Sequence, residues 1–504
     1  MPYGPVAMSS ERRKLVLGAS WTLASTMVAL GAGAILNPIL VLYLGVDGYG
    51  IWASAIAIAS LFGLGSDLGI SGALTKFIAE RRGGQLEIGS LAGTALTFGL
   101  VAGCVAGAGL FGLSFFMERY VSYDGFPLLL QLQAVQMPLN LGTASLLGVI
   151  QGRRQFRTLG LFTIGQAVVN LCLSLVLLAL GQGIPGVMVS TIITSALMFL
   201  VLLVSTRRDL VYNGLAAFKA DFRRLVPFGL NLTVTNALST LLYNIDIVAL
   251  SIIVRNPAIV GAYALAVFVT RALWILPSSI GTTTYPVISE YAGAKDERRV
   301  AKYLSTALAA SVAVTGTLAS ALVIFGRPLF LVVFGPDSAA AYDYAILLLL
   351  GTSVLGSLRA IAPSLAAVGR PDVGLRISAL GVAILAVGSF ALVSPFGPTG
   401  AAISVSIAFA LVSIVLLWAI DRYVLRAQPG LQFSPHVATT SGVAIGAGLI
   451  ALLVAVPTDL DVVHVAVGAV VLSVTVSSLI LASGGRDTWG TFFQSSRPIT
   501  AERS

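Results

Sequence analysis

The stretch LNPILVLYLGVDGYGIWAS, residues 36–54, has a counterpart in YNIDIVALSIIVRNPAIVGAYAL, residues 243–265. Each opens beside an asparagine near the end of a long apolar run, Asn37 in the first and Asn244 in the second. Each then crosses a short turn and restarts at Gly-x-aromatic-Ala: Gly50, Trp52 and Ala53, then Gly261, Tyr263 and Ala264. Further on, each run exits at a glutamate, Glu80 in KFIAE and Glu290 in PVISE. A second pair agrees: GRRQFR (152–157) precedes Pro185-Gly186 much as GRPDVG (369–374) precedes Gly397 to Gly400. Two six-helix units, 1–206 and 226–420, therefore run in one direction, because an even helix count returns the chain to the same side. An axis along the membrane normal should relate them, with a site between them near mid-depth.

Composition supports a membrane setting. Hydrophobic residues make up 57% of the 504 and charged ones 10%, too apolar for a soluble globule. The 53 glycines suit helices packed closely in lipid. Both cysteines, Cys104 and Cys172, fall in apolar spans, so neither a disulfide nor thiol chemistry is expected. The two histidines, His436 and His464, form no cluster at metal-ligand spacing, and no phosphate-binding G-x-x-x-x-G-K-[ST] loop is present. No cofactor, metal or catalytic residue is expected, and ATP would not drive this chain by itself.

Apolar runs predict fourteen transmembrane helices, near 15–44, 50–78, 88–116, 124–150, 158–180, 184–205, 226–254, 258–285, 303–325, 339–366, 374–394, 398–420, 437–456 and 462–483. The first is too long for a signal-peptide core and is expected to be retained. FGRPLFLVVFGPDS, around 326–338, reads as a loop or a helix tip. The expected architecture is all-α: an N-terminal lobe (1–206), an amphipathic cytoplasmic linker (207–225), a C-terminal lobe (226–420), two added helices within 437–483, and a cytosolic tail (484–504). With the N-terminus inside, only Arg119, Arg255 and Arg327 fall in outer loops, and Arg271 and Arg359 fall within spans. The inner loops and the two termini hold about 25 of the 30 Lys and Arg, as the positive-inside rule requires. The net charge of +9 is thus mostly topology, with some attraction to anionic headgroups, and nucleic acid is not an expected partner.

The polar residues inside the spans are the candidates for function. On the seventh helix Thr235, Asn236, Ser239, Thr240, Tyr243 and Asp246 fall within an arc of about 140°. Such an arc faces either a hydrophilic cavity that bonds sugar hydroxyls or a neighbouring helix. Asn37 belongs to a thinner stripe on the first helix, where Pro38 offers a bending point. Arg271 lies roughly 20 Å along the eighth helix at 1.5 Å per residue. An arginine at mid-bilayer costs about 2.5–3.5 kcal/mol even on the lenient insertion scale. It is either a fork for phosphate or pyrophosphate or the partner of a buried carboxylate, Asp67 or Asp246. Either aspartate could instead carry a coupling proton or cation. Arg359, expected near a cytoplasmic helix end, reads as a snorkelling side chain.

Four segments also resemble, in order and spacing, a known family. They are YLGVDGYGIWASAIAIASLFGLGSDLGISGALTKFIAE (43–80), LLGVIQGRRQFRTLG (146–160), NIDIVALSIIVRNPAIVGAYALA (244–266) and YPVISEYAGAKDERRVAKYL (285–304). They resemble the polysaccharide-biosynthesis flippases, of O-antigen type, in the multidrug/oligosaccharidyl-lipid/polysaccharide exporter superfamily. The resemblance covers about residues 12–420 and implies a twelve-helix core, inward- and outward-open states and a cargo of isoprenoid-pyrophosphate-linked oligosaccharide. It implies that Asp246 matches the family's aspartate on the seventh helix, whereas no role transfers to Arg271. The expected protein is a monomeric flippase in a prokaryotic cell membrane, both termini cytoplasmic. Its partners would be lipid-linked oligosaccharide and membrane lipids, with a proton or sodium ion and the polysaccharide polymerase or export machinery as further candidates. An ion-coupled multidrug antiporter and a lipid II flippase share the plan and stand as alternatives.

Overall fold

A computed structural model of the chain describes residues 5–425, apart from 65, 67, 81–84, 118, 120, 122, 124 and 212–213. The helices expected over 437–483, the tail and Asp67 lie outside the described residues. Among those described, every regular element is a helix. The α-helices are α1 (Pro5–Phe62), α2 (Ile70–Glu80), α3 (Gln85–Met117), α4 (Phe126–Gly152), α5 (Phe156–Ala179), α6 (Gly183–Thr206) and α7 (Gly214–Val254). They continue with α8 (Pro257–Ala272), α9 (Ile275–Gly293), α10 (Glu297–Phe334), α11 (Ala339–Leu358), α12 (Ser364–Ala367) and α13 (Pro371–Val424). Among the described residues eight helices are long and apolar enough to cross a bilayer, or nine if α8 and α9 count as one bent span. This is a multi-pass membrane protein.

Two helices are too long for one crossing. The 58 residues of α1 and 54 of α13 would extend ~87 and ~81 Å if straight, against ~30 Å of hydrocarbon. Each carries one residue off the helical region, Gly45 (φ 73°, ψ 169°) in α1 and Gly397 (φ 56°, ψ −134°) in α13. Both fall between expected spans. Glycine is needed there because a Cβ disfavours that backbone.

The chain forms two compact units. The first comprises Met1–Asn244 and Arg255–Gly261. Its α3 packs on α4 through Gly99, Gly103 and Gly107, spaced four apart, where a Cβ would run into Leu141, Pro138 and Ala134. Such a row of small residues lets backbones approach where lipid supplies no hydrophobic drive. An apolar core of Ile70, Leu74, Leu91, Ala95, Val149 and Leu225 ties α2, α3, α4 and α7 together. Gly50 of α1 and Gly261 of α8, the equivalent glycines of the two repeated motifs, also meet within this unit: a Cβ on Gly261 would collide with the Val46 carbonyl.

The second unit comprises Ile245–Val254 and Ala262–Ser504. Here α10 packs on α9 and α11, and α11 packs on α13. Gly351 of α11 lies against Ser406 of α13. Thr284 of α9 donates to the Ala360 carbonyl at 2.6 Å, so the turn after α11 is fastened to α9.

Local structure departs from the sequence reading in three places. The run expected as one helix over 258–285 is two, α8 and α9, bent by 46° at residues 273–274. Pro277 accounts for the break: it has no N–H for the Leu273 carbonyl and its ring crowds that carbonyl, yet it is tolerated in the first turn of a new helix. The run expected over 50–78 is likewise broken, between Phe62 and Ile70, with Leu68 and Gly69 at positive φ. The seventh helix begins at Gly214 rather than 226. Its early part is anchored: the buried Asp221 accepts from Ser90 at 2.6 Å and Thr94 at 3.4 Å, while Leu225 is fully buried. The ambiguous segment at 326–338 continues α10 to Phe334 and ends in a 3-10 turn, Pro336–Ser338.

Candidate functional site

Three residues of the second unit gather at one carboxylate. Asp246 on α7 and Tyr263 on α8 are both 0% exposed. The Tyr263 hydroxyl donates to Asp246 Oδ2 at 2.8 Å. Arg271 Nη2 lies 3.8 Å from the same oxygen, close enough for an ion pair but too long for a hydrogen bond. Asp246 Oδ1 is buried and has no hydrogen-bond partner among the described residues. Asp246, one of the two aspartates proposed for Arg271, is thus an ion-pair partner of it, and the other, Asp67, lies outside the described residues.

Three features make this arginine tolerable. The Asp246 charge offsets its own. Arg271 also lies in the last turn of α8, where the helix dipole presents its negative end and stabilises a cation by about 0.3–1 kcal/mol. Its guanidinium carbon is 5.9 Å from the Trp274 ring centre, within cation–π range. The break places that aromatic there, since Trp274 N–H donates back to the Arg271 carbonyl at 3.0 Å as α8 ends.

Arg359 joins the same aromatic, which corrects the snorkelling reading. It is the C-cap residue of α11, again at a helix's negative end. Its guanidinium stacks 4.3 Å from the Trp274 centre, and Nη1 donates to Ser278 Oγ at 3.3 Å. Trp274 is itself fixed by its Nε1–H donating to the Thr352 carbonyl at 2.8 Å. Two guanidiniums thus share the Trp274 ring, one of them beside the Asp246 carboxylate. Tyr263 and Trp274 were not among the expected site residues. The repeated Gly-x-aromatic-Ala motif already marked Tyr263, whereas nothing near Trp274 in sequence connects it to Arg359.

The polar arc of α7 that precedes Asp246 lies in the first unit. Asn236 is exposed. Ser239 donates to the Thr235 carbonyl and Thr240 to the Asn236 carbonyl, each at 3.0 Å, and Asn244 donates to the Thr240 carbonyl at 2.9 Å. Donation back along the helix uses the hydroxyl hydrogens and leaves oxygen lone pairs to accept. Tyr243 is half-buried on the same arc. Asn37 is engaged within α1, donating to the Gly33 carbonyl at 2.8 Å and accepting from the Tyr49 hydroxyl at 2.9 Å. The structure therefore brings Arg271 and Asp246 together, and holds Asn37 in a contact of its own.

Comparison with known proteins adds to this geometry. The family described as polysaccharide biosynthesis protein matches residues 15–292. The MatE family matches residues 232–392. A Haloferax volcanii protein named "Probable low-salt glycan biosynthesis flippase Agl15" is 24% identical over 157 residues, which is 31% of this chain and 33% of that protein, so the match spans about a third of that relative. A Shigella flexneri protein named "Putative O-antigen transporter" is 25% identical over 403 residues, 75% of this chain and 91% of that protein. Among solved structures, "Lipid II flippase MurJ, inward closed conformation" superposes with a TM-score of 0.68 at 17% identity, over 92% of this chain and 99% of that one. At that identity the likeness is one of fold.

Proposed function

Because the chain belongs to the polysaccharide biosynthesis protein family, we propose that it is a flippase carrying isoprenoid-pyrophosphate-linked oligosaccharide from the cytoplasmic to the external leaflet by alternating access. Its family and fold are those of membrane flippases and transporters, not of catalytic enzymes. The observation that carries the cargo assignment is Arg271, an intramembrane guanidinium at a helix break, ion-paired to Asp246 at 3.8 Å without a hydrogen bond to it. A guanidinium presents the planar donor fork that suits a pyrophosphate. The α7 residues Asn236, Ser239, Thr240 and Tyr243, with Asn37, are the proposed sugar contacts. The proposed lobes are 1–206 and 226–420, and the proposed cytoplasmic link between them, 207–225, contains the first turns of α7. The setting is a prokaryotic cell membrane with both termini inside, and the protein acts as a monomer beside the glycan polymerase or export machinery.

The test is the leaflet distribution of lipid-linked oligosaccharide, read with an impermeant sugar-modifying reagent in cells with and without the protein. Depletion should strand the glycan inside, and re-expression should reverse this. Arg271→Ala, at normal protein level, should lower inversion about tenfold or more, since a charge-assisted hydrogen bond contributes ~1.5–3 kcal/mol and 1.4 kcal/mol is tenfold. Arg271→Lys should fall between. Normal inversion by Arg271→Ala would remove the arginine from the site. A second reading, a proton- or sodium-coupled drug antiporter, draws on the buried Asp246 Oδ1 without a partner among the described residues and on the MatE match over 232–392. It predicts drug sensitivity on depletion with the leaflet distribution intact.

A further inference from the structure

A cavity of ≈ 270 Å³ lies wholly within the first unit, walled by α1, α4, α5 and α6. Its polar lining includes Gln136 from α4, Gln166 and Asn170 from α5, and Thr191, Thr194 and Ser195 from α6. The spacings i and i+4 on α5, and i, i+3 and i+4 on α6, place each set on one helix face. No lining residue is ionisable. So much polar surface among membrane helices is costly unless bonded, and much of it is bonded. Gln136 Nε2 donates to Ser195 Oγ at 2.9 Å, Ser195 to Asn140 Oδ1 at 3.2 Å, and Thr191 to the Met188 carbonyl at 2.7 Å. Two atoms stand apart. Asn170 Oδ1 and Thr194 Oγ1 are buried, yet neither has a hydrogen-bond partner among the described residues. Thr194 itself is 2% exposed, and unlike Thr163 or Thr191 it does not donate to its own helix.

We propose that this cavity binds a neutral polyhydroxylated group, one sugar ring in size. Carboxamides and hydroxyls each donate and accept, which matches neighbouring hydroxyls or an acetamido group on a ring. A charged ligand is disfavoured, because a desolvated ion here would meet no counter-charge in the lining. The volume sits just below the ~300–1,000 Å³ of pockets for drug-sized molecules, which suits a single sugar ring. Identifying the ring as part of the cargo rests on the flippase reading, whereas the site's chemistry does not.

The experiment is saturation-transfer NMR on the full chain in nanodiscs, with methyl β-D-glucoside and methyl N-acetyl-β-D-glucosaminide as probes. The wild type should transfer saturation to ring protons of at least one probe. Thr194→Val, nearly isosteric, should weaken binding about threefold to tenfold, as expected for one neutral hydrogen bond. Asn170→Leu should abolish it, with an unchanged melting temperature excluding misfolding. Absence of transfer to both probes, equal transfer in Thr194→Val, or displacement by tetraethylammonium would each overturn the proposal. The leaflet assay separates the two readings: sugar binding with no leaflet change on depletion sinks the flippase and leaves the cavity site standing.

Discussion

At Asp246 a single buried oxygen accepts from Tyr263 and faces Arg271. Removing one member of such a pair is costlier than removing both, because the remaining charge stays desolvated; breaking a buried pair costs ~3–5 kcal/mol. Asp246→Leu should therefore lower stability by about that amount, and Asp246→Leu/Arg271→Met should recover most of it. Thermal unfolding of the four proteins of this cycle in detergent measures the coupling; independent, additive losses would show that the pair is not energetically linked. Sequence periodicity made this pair legible as one of two pairings, because Asp246 and Arg271 are both charges in apolar runs. Arg359 was not legible in the same way. Its position at a helix end reads as snorkelling, and only the fold brings Trp274 to within 4.3 Å of it.

Helix packing depends on glycines whose roles differ in sign. Gly261 of α8 has the Val46 carbonyl of α1 where its Cβ would sit, with backbone on both sides and nothing flexible to yield. Gly261→Ala should destabilise by about 1–3 kcal/mol, the usual loss on overpacking. Gly374, in the first turns of α13, has nothing within 4 Å of its Cβ position. Gly374→Ala should stabilise by up to ~1 kcal/mol through helix propensity. Opposite shifts in melting temperature are the expected outcome, and a neutral Gly261→Ala would mean that the α1–α8 approach relaxes freely. The repeat GYGIWAS against IVGAYAL marked both Gly50 and Gly261 from sequence, but as equivalents, with no sign that they touch. Helix breaks were the least legible elements. Pro277 falls inside the run expected as one helix over 258–285, because hydropathy over a window stays high on both sides of it.

Topology across the bilayer turns on the bent pair α8–α9. At 1.5 Å per residue the 16 residues of α8 reach ~24 Å and the 19 of α9 ~28 Å, so neither alone clears ~30 Å of hydrocarbon. A re-entrant loop would have to turn the chain back, whereas the axes bend by 46° and the path continues forward. As one crossing, the pair should place Arg255 and Ala294, exposed at its two ends, on opposite sides. The charge pattern agrees, since Lys295, Arg298, Arg299 and Lys302 cluster after α9 while Arg255 stands by itself before α8. In a chain with Cys104 and Cys172 replaced by serine, Arg255→Cys should react with an impermeant maleimide in intact cells. Ala294→Cys should react only after permeabilisation. Labelling of both from outside would make α8–α9 re-entrant and invert every span after it, moving the basic loop at Arg370 and Arg376 to the exterior. The positive-inside skew would then fail over half the chain at once, which is why this one pair of cysteines decides the orientation of the whole molecule.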